Sequence, residues 1–242
     1  MPSTMLSVAV AIICKTPRPG HSKTRLSPPL RPDECAGISA CFIHDISRTI
    51  ASLTGDGRAD GYAVYTPAGS EAELRALLPA GFGLVVQGDG DLGRRLDKGI
   101  RDLIAAGHAG AILINSDSPT LPRALLDAAV EAVLSGDRLV ISPALDGGYT
   151  LIGLSKAHPH LFADIPWSTD SVYHLTLRRA REINLPAVML DGWYDVDDGA
   201  SYAMLERELD GIRPPFATGP AQDAPKTRAF VRRRREILEL LV

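Results

Sequence analysis

Short apolar runs, separated by stretches with helical periodicity, constrain this chain more than any other feature. Ser7-Val-Ala-Val-Ala-Ile-Ile13 is apolar after its first residue, and Ala111-Ile-Leu-Ile114 is apolar throughout. Continuous runs this short read as strands buried on both faces, as at the centre of a parallel sheet. Tyr62–Thr66, Gly83–Gln87, Leu139–Ser142, Tyr149–Gly153 and Ala187–Leu190 read as further strands. Between them, apolar residues recur every three or four positions. Cys35, Ile38, Phe42, Ile46, Ile50 and Leu53 follow Pro32, and Leu92, Leu96, Ile100, Leu103 and Ile104 follow a glycine-rich turn. Leu125 to Leu134 follow Pro122, a helix runs from about Thr169 to Asn184, and another carries Tyr202, Leu205 and Leu209. Strand–helix alternation of this kind predicts an α/β fold with a doubly wound, mostly parallel sheet.

The 242 residues suffice for a substantial core, and 45% hydrophobic with 23% charged is an ordinary globular balance. A net charge of −3 argues against nucleic acid or a membrane surface as partner. No apolar run approaches the roughly 20 residues that cross a bilayer. The opening M-P-S-T-M-L has no charged segment of the kind that begins a secretory signal, so a cytoplasmic location is expected. Cys14, Cys35 and Cys41 give neither a disulfide framework nor a zinc spacing and read as core residues of a reducing compartment. Residues 1–212 are expected to form the main domain. Residues 213–242 read as a proline-rich surface linker, Arg213 to Lys226, and a final helix with Phe230, Val231, Ile237, Leu238, Leu240 and Leu241, packed on the domain or on a second copy in a homodimer. Arg232 to Arg235 read as its solvated face.

The first strand runs into K-T-P-R-P-G-H-S-K-T-R-L, residues 15–26, which carries Lys15, Arg18, Lys23 and Arg25. Ligands of open α/β sheets settle at the carboxyl ends of central strands, so this cationic loop points to a polyanion such as a nucleotide, with a solvated basic loop as the alternative. It is no P-loop: Ser22 and Pro17 stand where that motif needs glycines to wrap a phosphate in backbone N–H groups.

Asn115-Ser-Asp-Ser-Pro119 ends the most apolar strand, which puts Asp117 at the same edge as the loop. A hard divalent cation such as Mg²⁺ or Mn²⁺ takes one or two carboxylates plus substrate phosphate oxygens. Metal ligation and helix capping both fit Asp117. In Tyr194-Asp-Val-Asp-Asp198, alternation puts Asp195 and Asp197 on one side of an extended segment, as further metal ligands, and Asp198 suits a cap. Gln87 and the Gly88–Gly93 turn suit a nucleobase or ribose, or a tight turn with an aspartate cap. In Pro143-Ala-Leu-Asp-Gly-Gly-Tyr149, Gly147 and Gly148 either bring backbone close to a ligand and leave Asp146 to orient an acceptor or take its proton, or simply turn the chain between two strands; the Asp-Gly-Gly-Tyr pattern favours the first. His21 sits in the candidate loop, and the histidines form no metal spacing.

Together, K-T-P-R-P-G-H-S-K-T-R-L, G-D-L-G-R-R-L, S-D-S-P-T-L-P, P-A-L-D-G-G-Y-T-L-I-G-L and W-S-T followed by D-V-D-D resemble a bacterial glycosyltransferase-A-like family. Its members are described as nucleotide-diphospho-sugar transferases and as glycosyltransferases associated with radical-SAM genes or arsenosugar biosynthesis. They are related to the molybdenum-cofactor and phospholactate nucleotidyltransferases. The resemblance covers about Ala9 to Leu209 and implies a glycosyltransferase-A type fold. It implies that Lys15, Gly20, Lys23 and Arg25 hold nucleotide phosphates, that Gln87 and Gly88–Gly93 face the base, and that Asp117 binds metal with Asp195 or Asp197. The chain departs from it at Asp198-Gly-Ala-Ser201, where relatives carry Thr-Pro-Glu-Asp, and at His21-Ser22, a place often filled by a small or apolar pair.

The expected activity is metal-dependent transfer from a nucleotide-diphospho-sugar to a small-molecule acceptor. Asp146, Lys23 and Arg25 would be the catalytic residues. The alternative is a nucleotidyltransferase joining a nucleoside triphosphate to a phosphorylated small molecule, and a third reading is a nucleotide-binding protein without turnover.

Overall fold

The computed structural model describes residues 7–240. The opening M-P-S-T-M-L and Leu241 lie outside them. Seven strands form one sheet: β1 (Val8–Lys15), β2 (Ala59–Thr66), β3 (Gly83–Val86), β4 (Gly110–Asn115), β5 (Leu139–Pro143), β6 (Tyr149–Leu154) and β7 (Ala187–Met189). Among the described residues seven α-helices accompany them: α1 (Pro32–Ala51), α2 (Glu71–Arg75), α3 (Leu92–Ala105), α4 (Arg123–Leu134), α5 (Val172–Glu182), α6 (Gly199–Leu209) and α7 (Pro225–Glu239). The strand order is β3-β2-β1-β4-β6-β5-β7, and β6 alone runs against the others.

The apolar strands are buried on both faces because the sheet is covered on both. Val8, Val10 and Ile12 of β1 face the layer that holds α1, α4, α6 and α7, while Ala9 and Ala11 face α3 and α5. In β4, Ile112 and Ile114 join the first layer, and Ala111 and Leu113 the second. Period-two alternation thus sends β1 and β4 into two cores.

Three connections decide where chemistry is carried. The order reverses between β1 and β4, so their carboxyl ends lie side by side, with Ile13 opposite Asn115. The antiparallel β5–β6 hairpin folds its Asp146–Gly148 tip to that same edge, and β7, parallel to β5, delivers residues 190–198 there.

The C-terminal region packs closely. Phe216 sets its ring edge against Trp193 and Tyr194, at centroid distances of 6.1 and 5.9 Å. The N–H of Gln222 donates to the carbonyl of Thr120 at 3.0 Å. Helix α7 begins at Pro225, inside the stretch read as linker, and lies on α1 with Phe230 over Gly37. Of the arginines read as a solvated face, Arg234 donates to the Pro29 carbonyl at 2.7 Å and Arg235 pairs with Asp210 at 2.8 Å. Among the described residues, no helix is long and apolar enough to cross a membrane.

Candidate active site

The chain leaves β1 through a tight turn in which the N–H groups of His21 and Ser22 reach the Arg18 carbonyl, and Ser22 Oγ accepts the Arg18 N–H at 3.1 Å. Lys23 follows with φ 51°, a left-handed conformation costing a non-glycine residue about 1 kcal/mol. The turn ends in a single 3-10 turn, Thr24–Leu26, pinned by the buried side chain of Leu26.

That geometry drives Lys23 under the rim. Its Nζ lies 2.8 Å from Asp117 Oδ1 and 2.7 Å from Asp197 Oδ1, and donates to the Val196 carbonyl at 2.8 Å. The Lys23 side chain is 7% exposed, against 30% and 44% for the two aspartates. Burial disfavours its charge, but Asp117 and Asp197 outweigh that penalty and hold its pKa above the ordinary lysine value. Segments distant in sequence are also tied by further hydrogen bonds: the Val196 N–H donates to the Asp117 carbonyl at 2.9 Å, and the Ser118 hydroxyl to the Tyr194 carbonyl at 2.7 Å.

In front of this knot lies a cleft of about 480 Å³ lined by Lys15, Lys23, Arg25, Gln87, Asp117 and Asp197, among others. His21 also lines it, whereas Arg18 pairs with Glu73 at 2.8 Å and takes no part. Arg95 adds a cation to the wall, anchored by a 2.9 Å bond from its Nε to the Gly90 carbonyl. Sequence reasoning gave Arg95 no role, although it lies within G-D-L-G-R-R-L.

A second cleft of about 370 Å³ adjoins the first, sharing Arg25 and Asp197 with it. Asp146, Asp195 and Asp198 line it, with Leu145 and Met204 as apolar wall. The carboxyl of Asp195 is pushed up to about 7, by burial first and then by the charges of Asp197, Asp146 and Asp117. Negative charge is in surplus here.

Several expected roles take a different form. Both hydrogens of the Gln87 amide are committed to the carbonyls of Cys14 and Val64, at 2.9 and 3.1 Å. Only its oxygen remains to meet a ligand, because a flipped amide would set oxygen against two carbonyls. Asp117 caps no helix, since α4 begins at Arg123, so of its two readings the cap falls away. Asp198 does cap α6, accepting the Ser201 N–H at 2.8 Å, and Asp91 caps α3. Gly20, Gly88, Gly93, Gly147 and Gly148 stand outside the lining of both clefts. Gly93 lets α3 approach Trp167, where a Cβ would meet the indole at 2.8 Å, so Trp167 is an anchor for that helix. Gly148 donates its N–H to Asp146 Oδ1 at 2.8 Å, which fixes that carboxylate at the wall of the second cleft.

The family model described as "Uncharacterized protein conserved in bacteria (DUF2064)" matches residues 49–169. The chain belongs to this family. The DUF2064 chain is 27% identical to a Desulfovibrio desulfuricans G20 protein that bears the name of a nucleotide-diphospho-sugar transferase by attribution. The match covers 98% of each chain with a TM-score of 0.82. A cytidylyltransferase from Leptospira borgpetersenii serovar Hardjo-bovis shares the fold at 10% identity, with 96% of each chain covered and a TM-score of 0.55. So does CMP:2-keto-3-deoxy-manno-octonic acid synthetase, in complex with CTP, at 10% identity over 85% of this chain and 99% of that one, with a TM-score of 0.54. No curated protein matches the sequence. The DUF2064 chain therefore has the glycosyltransferase-A and nucleotidyltransferase type of fold, one whose named representatives here are transferases.

Proposed function

We propose that the protein is a metal-dependent transferase that takes a sugar from a nucleotide-diphospho-sugar and passes it to a small hydroxyl-bearing acceptor. One observation carries this reading: the cationic loop after β1 and the aspartate at the end of β4 meet at the strand-order reversal, Lys23 Nζ lying 2.8 Å from Asp117 Oδ1 beside a cleft of about 480 Å³. That is where an open α/β sheet binds a nucleotide. The attributed activity of the Desulfovibrio desulfuricans relative supports it.

The residues fit a hard divalent ion such as Mg²⁺ or Mn²⁺. Asp117 and Asp197 offer partly exposed carboxylate oxygens, Asp195 stands beside them, and local negative charge is in surplus. Among the described residues, no group of three metal-ligating side chains converges, so an ion held by Asp117 and Asp197 would draw its remaining oxygens from substrate phosphates and water. When bound, such an ion neutralises the diphosphate as it departs.

The chain's own residues supply the rest. Lys15, Arg25 and Arg95 line the cleft as cations for the diphosphate. Asp146, held by Gly148 at the wall of the second cleft, accepts the proton of the acceptor hydroxyl. The hydroxyl oxygen bonds to the anomeric carbon, whose bond to the diphosphate oxygen breaks, and the electron pair leaves with the nucleoside diphosphate. The acid-lined second cleft favours hydroxyl acceptors over phosphorylated ones, which supports glycosyl over nucleotidyl transfer.

A panel of nucleotide sugars and nucleoside triphosphates, with and without Mn²⁺, tests the reading. Release of nucleoside diphosphate from a nucleotide sugar is expected. Pyrophosphate release from a triphosphate, with the nucleotide sugars inert, would mark the protein as a nucleotidyltransferase.

A further inference from the structure

Lys23 departs from the behaviour of a simple phosphate-binding lysine. An ammonium has three hydrogens, and its acceptors are already present: Asp117 Oδ1, Asp197 Oδ1 and the Val196 carbonyl, all within 2.8 Å. The ring of Phe42 lies 5.8 Å from Nζ and closes off another side. A diphosphate gains this ammonium only if Lys23 gives up a carboxylate. A divalent ion faces the mirror problem. It would take the same two carboxylates at about 2.0–2.6 Å, within a few ångström of a buried like charge that only those carboxylates neutralise.

We propose that Lys23 is the internal counter-ion of this site. It bridges Asp117 and Asp197 in the ligand-free protein and releases them as it turns to a diphosphate, so that nucleotide and metal bind as mutually dependent partners. The inference rests on the donor reading above. Charge balances across the exchange: the carboxylate pair passes from an ammonium to a dication, and the ammonium passes to phosphate oxygens. The four-carbon stem of lysine permits such a swing without moving the turn.

The test is Mn²⁺ alone, titrated into wild-type protein and Lys23→Met with no nucleotide present, the free ion being read by its electron paramagnetic resonance signal. Wild type should bind weakly and Lys23→Met more tightly, by on the order of tenfold or more. Affinity of the variant for a nucleoside diphosphate should fall. Lys23→Gln, which removes the charge but keeps a donor, reads the same prediction should Lys23→Met fail to fold. Equal Mn²⁺ affinity in wild type and a folded variant overturns the inference, and so does micromolar Mn²⁺ binding by wild type alone. A wild type that binds no nucleotide or nucleotide sugar under any metal condition removes the donor reading and this inference with it. Nucleotide binding with unchanged Mn²⁺ affinity in the variants removes this inference alone.

Discussion

Asp45, on α1, accepts the backbone N–H of Thr227 at 2.8 Å and also that of Lys226 at 3.2 Å, and so caps α7 from 181 residues away. Helix α7 has no cap of its own: Ala224 has no side-chain acceptor and Pro225 no N–H. The first N–H groups of a helix need partners, and a buried carboxylate also complements the positive end of the helix dipole. Asp45→Ala should therefore lower stability by about 2 kcal/mol. Urea denaturation measures this, and limited proteolysis near residue 225 should speed up as α7 loosens. A loss under about 0.5 kcal/mol would leave the cap without energetic weight.

What the sequence disclosed, and what it withheld, follows from the range of each interaction. Strands β1 and β4 and helix α3 were legible because burial on two faces or one leaves a local pattern. Asp117 was placed at the rim because it follows the doubly buried β4 so closely, whereas Asp197 stands well beyond the end of β7 at Met189 and its meeting with Lys23 left no local trace. The direction of β6 was open, since a Gly-Gly turn fits a hairpin or a loop equally well. Helix α7 showed which face is apolar, not that α1 would meet it. The bridge through Lys23 joins segments following β1, β4 and β7, and no local pattern encodes a meeting of that kind. Gln87 likewise showed an amide but not its orientation, which carbonyls of two other strands impose.

Gly147 is irreplaceable on geometric grounds. Its φ is +90°, and a Cβ there would lie 2.2 Å from the Asp170 carbonyl oxygen, which is backbone and cannot turn aside. Gly147→Ala should cost roughly 3 kcal/mol and shift the hairpin tip that carries Asp146. Differential scanning calorimetry and acceptor-dependent turnover should both register it. A variant as stable as wild type would mean that the loop relaxes freely.

The thiols of buried Cys14 and half-buried Cys41 should resist alkylation. Burial, helped by the charge of Asp117, pushes Cys14 up to about 12, and burial with Asp45 pushes Cys41 up to about 11. At pH 8 the native thiolate fractions are on the order of 10⁻⁴ and 10⁻³, and the thiolate is the reactive form. Iodoacetamide should label neither until the protein unfolds. The linkage has a definite sign, because the unfolded chain loses these protons near pH 8.5 and the folded one does not. Their contribution is complete below that pH and is lost as pH climbs towards 11 to 12. Urea midpoints at pH 8 and pH 10 should fall in that order.

Asp117→Asn separates ligation from support. Asparagine keeps the shape and an oxygen for Ser116 Oγ, and the Asp117 carbonyl still accepts the Val196 N–H. Lys23 retains Asp197 and the Val196 carbonyl, so its charge stays compensated. Because the asparagine oxygen can still accept from Lys23 and Asp197 still neutralises it, the stability change should remain within about 1 kcal/mol, or roughly 2–4 °C in thermal midpoint. Metal-dependent donor binding should nevertheless disappear, because the amide neither carries charge nor competes for a hard dication. Calorimetric titration of a nucleotide sugar with and without Mn²⁺ checks this beside a thermal melt. Strong destabilisation with donor affinity intact would make Asp117 a structural residue, and the divalent ion would then need other ligands.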